Sequence, residues 1–314
     1  MGFSRRTLSI LSLIAAIFAF ENRASAQSVD AGNQRADVAR TQTQTAPTVN
    51  EEGGSIPSTP NDADLGEQEI LKRAQAYQAF TAAASIPIYW TSNVLLSRAN
   101  EQGDWIEAPA AGLYYQPRIT NNLYGLVDVR DQQFYYNRFD NLDFGDFAVD
   151  VGFNLVIPDL DNLILRAQYT YDRLTEKDSF DAFFQNHAII LNGELPVRIG
   201  RAQQLAFGAS ATISMRSIPE TPRRNDYEGY IGYTLVLTRA LTVNAAGRLV
   251  VRDYYHQNSR VDFNEIGAVT ATYNFNRFIS ATALGTVAAN QSNQSIFDYK
   301  VANVGGAFSL AVKF

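Results

Sequence analysis

The sequence predicts an all-β protein: a transmembrane antiparallel up-and-down β-barrel of twelve strands, preceded by a disordered N-terminal segment and one short helix. Three observations carry that prediction. The chain opens with a secretory leader, its hydrophobicity alternates with period two from about residue 85 to the end, and the connections between alternating segments are short and long in turn.

The leader comes first. Arg5 and Arg6 form a basic n-region, Leu8 to Phe20 an apolar stretch too short for a stop-transfer helix, and Ala24-Ser25-Ala26 a small-x-small cleavage site. Residues 1–26 therefore read as a cleaved signal peptide, with the mature chain starting at Gln27. The sequence has no cysteine, which excludes a lipidated N-terminus, a disulfide framework and a thiolate metal site. Its formal net charge is −6, and removing Arg5, Arg6 and Arg23 against Glu21 makes the remainder more acidic. No basic footprint for nucleic acid is present. After Phe20 no stretch approaches the roughly 20 apolar residues of a membrane helix.

Residues 27–84 read as a periplasmic segment. Over 27–63 the chain is rich in Gln, Thr, Ser, Asn and Pro, with TQTQTAPT at 41–48. It offers too little apolar surface to offset chain entropy, so disorder is expected. Between about 65 and 83, Ile70, Leu71, Ala74, Tyr77 and Phe80 recur at helical spacing behind Asp62 or Asp64 as a cap, which predicts a short amphipathic helix. Three places are open to it: the periplasm, the barrel mouth and the lumen.

Residues 85–314 read as the barrel. In the clearest strand Phe147, Val149, Val151, Phe153, Leu155 and Ile157 alternate with Ala148, Asp150, Gly152, Asn154 and Val156. Twelve such segments centre near Trp90, Tyr115, Val127, Val151, Ala167, Gly193, Ala209, Tyr233, Ala245, Val269, Ala283 and Leu310. Each has about the 9–11 residues that a tilted membrane strand needs. Short connections at 118–122, 158–162, 198–204, 238–240 and 274–277 alternate with longer polar ones, the asymmetry of periplasmic turns and extracellular loops. Putting the apolar parity outward leaves one interior charge facing lipid, Glu265, which should sit at the outer interface. A soluble sandwich would alternate too. It would not account for aromatic residues at strand ends, such as Tyr171, Tyr227, Tyr273 and Phe275, which suit interfacial girdles.

The final residues, Gly305-Gly306-Ala307-Phe308-Ser309-Leu310-Ala311-Val312-Lys313-Phe314, carry a resemblance. They look like the terminal β-signal of Gram-negative bacterial outer-membrane β-barrel proteins, with Gly306 followed by Phe308, Leu310, Val312 and Phe314. That resemblance implies a porin-like barrel in outer-membrane lipid, inserted by the barrel-assembly machinery through its last strand. It matches no named subfamily.

Enzymatic chemistry is not expected. The only histidines are His187 and His256, and neither begins the His-x-Ser pair of the twelve-stranded outer-membrane phospholipases. Two isolated His make a poor metal site, and no cofactor motif is present. Function should lie on the inward parity, which the period assigns to Asp128, Arg130, Asp150, Arg166, Asp172, Glu194, Arg216, Glu228, Arg248 and Arg252. Two readings follow. These charges line a narrow diffusion channel for small polar or charged solutes, or they pair across the wall in a closed scaffold or adhesion barrel acting through its loops or N-terminal segment.

Overall fold

A computed structural model describes residues 29–40, 78–177, 180–200 and 202–314. The strands are β1 (Phe80–Thr91), β2 (Asp104–Glu107), β3 (Ala110–Tyr115), β4 (Leu123–Tyr136), β5 (Phe144–Ile157), β6 (Leu163–Glu176) and β7 (Ala182–Arg198). They continue as β8 (Gln203–Ile218), β9 (Arg224–Val236), β10 (Leu241–Tyr254), β11 (Val261–Asn274), β12 (Ile279–Ser292) and β13 (Tyr299–Lys313). Each pairs antiparallel with its sequence neighbour, and β13 returns to β1 from Thr81↔Lys313 to Thr91↔Asn303, which closes the sheet and removes every edge. The backbones of Phe80 and Phe314 also exchange hydrogen bonds, so the terminal residue is part of the closure.

Thirteen strands make twelve staves. β2 and β3 lie in one continuous register against β1, from Thr91↔Asp104 to Phe80↔Tyr115, and against β4. The break falls at Ala108–Pro109, where proline has no N–H to give the ladder; the neighbouring bonds Ala108 N to Pro87 O and Gln133 N to Pro109 O persist.

Period-two alternation builds this wall for a lipid solvent. In β5, Asp146, Ala148, Asp150 and Asn154 are buried, whereas Val151 and Phe153 are about half exposed on the outside. Ile86, Leu113, Leu191, Leu249, Val269, Val287 and Val304 are exposed in the same way around the barrel. A continuous apolar exterior over a polar interior belongs in a bilayer. Glu265 is exposed on that exterior, five residues into β11 from the loop end.

Four expectations need correction. The strands have 12 to 17 residues in most cases, for example 17 in β7, because several continue beyond the span that lipid requires; this shortens the loops. The barrel begins at Phe80 rather than 85. Of the helix expected near 65–83, residues 65–77 lie outside the described residues, and Phe80–Ala83 are strand: Phe80 finds Phe314, and the rest pair with β13 and β3. Finally, the helix stands at 29–40, within the stretch expected to be disordered, and it lies inside the barrel.

Candidate functional site

The helix over 29–40, α1, reads Val-Asp-Ala-Gly-Asn-Gln-Arg-Ala-Asp-Val-Ala-Arg. Asp30 in its first turn and Arg40 at its end suit the helix dipole. Val29, Gly32, Ala36 and Ala39 form a stripe of small side chains at helical spacing. Ala36 and Ala39 are buried against Tyr89, Ile106, Phe134, Tyr136, Phe144, Leu174 and Phe184, inward residues of six strands. At Gly32 a Cβ would come within 3.1 Å of the Phe183 ring, so α1 packs close to the wall there. On another side Val38 meets Leu96, Tyr299 and Val301.

Charge fixes the helix between opposite walls. Towards β9 and β10, Asp37 Oδ2 accepts from Arg224 Nη2 at 2.5 Å and lies 3.7 Å from Arg252 Nη2. Just before β11, Arg260 donates to Asp30 at 2.6 Å while its Nε binds Asp262. Towards β5 and β6, Arg40 grips Asp146 with two bonds of 2.6 and 2.8 Å and lies 3.7 Å from Asp172. Burial would raise the carboxyl of Asp37, but Arg224, Arg252 and Arg40 outweigh it and hold it below the usual carboxylate range. Burial likewise opposes the charge on Arg40, and Asp146 and Asp172 more than offset it, raising its pKa. All these partners sit at the loop end of the barrel, so α1 is docked within that mouth.

Below α1 the inward charges form a belt of pairs within the wall. Arg130 lies 3.1 Å from both Asp128 and Asp150. Arg248 binds Glu228 at 2.7 and 3.0 Å, and Arg166 donates to Asn154 at 2.9 Å. Glu194 accepts from Tyr230 at 2.8 Å across Gly208, which has no room for a Cβ because the tyrosine ring crosses it. The side chains of Arg130 and Arg248 remain 29% and 18% exposed, so they do not fill this level of the lumen.

Nine of the ten charged positions assigned inward do face the lumen; Arg216 does not. A β-bulge between His187 and Ala188 on β7 sets Arg216 opposite His187, and Met215 is the extra residue. The bulge flips the parity, so Ser214 and Ser217 are buried whereas Arg216 is exposed. His187 is on the outside with its Nδ1 2.5 Å from the Tyr169 hydroxyl, and His256 is in a loop 3.5 Å from Glu220. Among the described residues no group of His, Cys, Asp and Glu is arranged to hold a metal. Of the terminal residues, Phe308, Leu310 and Phe314 are exposed on the outer face. A cavity of about 900 Å³ is lined chiefly by outward positions of β9 to β13, where Gly229, Gly247 and Gly267 leave space between Ile231, Leu249 and Val287. It is a depression on the lipid side, not part of the mouth.

Asp30, Asp37, Arg40, Asp146, Arg224 and Arg260 were missed as luminal residues. Asp30 and Asp37, seven apart on one helix face, with Arg40 on another, were the available signal. It was obscured because α1 has almost no large apolar residues.

No family model matches the sequence, and no curated protein matches it. Solved structures match in fold. An outer membrane channel from Pseudomonas putida F1 aligns with a TM-score of 0.55 at 8% identity, covering 75% of this chain and 96% of that one. The translocator domain of autotransporter NalP from Neisseria meningitidis gives 0.43 at 11% identity, over 77% and 90%. Omp33 of Acinetobacter baumannii gives 0.38 at 13%, over 76% and 98%. This chain has the fold of a bacterial outer-membrane β-barrel.

Proposed function

We propose that the protein is a narrow outer-membrane diffusion channel for small polar or charged solutes, closed at its loop-end mouth by α1. The observation that carries this reading is the difference between the two sets of luminal charges. Those of the belt are satisfied by neighbouring strands and remain partly exposed to water, whereas those of the mouth are satisfied by a separate segment of chain. Withdrawing α1 therefore leaves the wall intact and its charges facing an aqueous path. A barrel kept shut as a scaffold has no need of a removable stopper.

Planar-bilayer recording tests the reading. The protein should give small discrete current steps, and Arg248→Glu should shift the reversal potential towards cation preference, since charges in a narrow pore act at close range. Folded barrels without steps in both proteins, with folding checked by heat-modifiable gel mobility, would replace the channel by the scaffold.

A further inference from the structure

The mouth is a site with two unlike walls: α1 meets the arginines of one with the carboxylate of Asp37, beside the Asp30–Arg260 pair, and the carboxylates of the other with the guanidinium of Arg40. On the first wall Arg224 and Arg252 face Asp37. Arg224 is also held by Asp226 at 2.8 Å, but Arg252, only 5% exposed, has neither Nε nor Nη1 in a hydrogen bond. Without α1 these two arginines share the single carboxylate of Asp226. On the second wall the cation that bridges Asp146 and Asp172 comes from α1 itself. An undocked mouth thus presents excess positive charge on β9 and β10 and excess negative charge on β5 and β6.

Taking the channel reading as its premise, we propose that this mouth binds zwitterionic solutes, molecules with a carboxylate at one end and an ammonium or guanidinium group at the other, and that Asp37 and Arg40 are their tethered stand-ins. A dianion satisfies the arginines but leaves Asp146 and Asp172 without a cation; a dication does the reverse; a neutral diol satisfies neither. Sites built for paired polar groups discriminate strongly against ligands that leave one group unmatched. A solute that binds only the undocked mouth draws the equilibrium towards it in proportion to its occupancy.

The test uses the full chain carrying Ala36→Cys, whose thiol is the only one in the protein and is buried when α1 is docked. Its labelling by a water-soluble maleimide is followed with 6-aminohexanoate, adipate, 1,6-diaminohexane or hexane-1,6-diol. The zwitterion should accelerate labelling on the order of tenfold, within the usual range of coupled binding, and the other three should have little effect. Arg252→Gln should lose the response and Arg252→Lys keep it. Trypsin cleavage after Arg35 and Arg40 in the unsubstituted chain, read by mass spectrometry, gives the same comparison if the cysteine disturbs docking. Equal acceleration by all four compounds, or none by the zwitterion in either assay, overturns the proposal. Current steps without zwitterion-specific labelling would leave the channel standing and remove this site; specific labelling without current would keep the site and remove the channel.

Discussion

The loop-end mouth and the belt beneath it use the same residue types to opposite ends. In the belt, Arg130 with Asp150 and Arg248 with Glu228 join adjacent strands, so each pair helps hold the wall together. In the mouth, Asp37, Asp30 and Arg40 reach from α1 to walls more than one hundred residues away in sequence. Pairs of the first kind cannot separate without disturbing the sheet. Pairs of the second kind exchange as a group when one helix moves. Where a charge finds its partner, more than how many charges there are, decides whether a polar lumen is fixed or switchable.

The contrast is broken most strongly at the mouth. Replacing Asp37 and Arg40 together by Ala cuts the ties to β9–β10 and to β5–β6 and leaves only Asp30 on Arg260; buried pairs of this kind are worth roughly 3 kcal/mol when cut. Hydrogen exchange of 29–40 should rise on the order of a hundredfold while the thermal transition of the barrel stays in place. In the belt the reverse is expected. Tyr230→Phe leaves the buried Glu194 carboxylate without its donor and should cost the barrel about 1–3 kcal/mol in urea unfolding, with α1 protection unchanged. Loss of α1 protection in that variant would mean the two levels are coupled.

The smallest effect comes from acid. The carboxyl of Asp37 is held below its unfolded value, so its contribution to docking is present above that value and disappears as pH falls through the lower, docked one. The closed fraction of the channel should be unchanged across neutral pH and decline only below the usual carboxylate range.

Most of the barrel was legible because its solvent is lipid. Outward positions within the hydrocarbon span must be apolar, so the period and the number of staves appear in the residues of β4 to β13 with little ambiguity. Arg216 was misplaced because one inserted residue inverts a period-two count, and nothing near Met215 marks a bulge. Strand ends were underestimated for a related reason: beyond the bilayer, residues such as Arg173 and Asn225 remain in the ladder although their polarity resembles that of a loop. The helix was illegible in another way. Helix recognition looks for a broad apolar stripe, as in Leu71 to Phe80, whereas α1 is solvated by a polar lumen and needs only Gly32, Ala36 and Ala39 to fit closely and charges to dock. The same conditions that hid it make it removable.

Single-channel recording of the Asp37→Ala, Arg40→Ala protein beside the unsubstituted chain tests the central claim, that α1 is the stopper of an otherwise continuous path. The unsubstituted protein should be closed for most of the record with brief small steps. The variant should show steps of larger amplitude or longer duration, with open time increased on the order of a hundredfold in line with the loss of about 3 kcal/mol of docking. Indistinguishable records from the two folded proteins would contradict it.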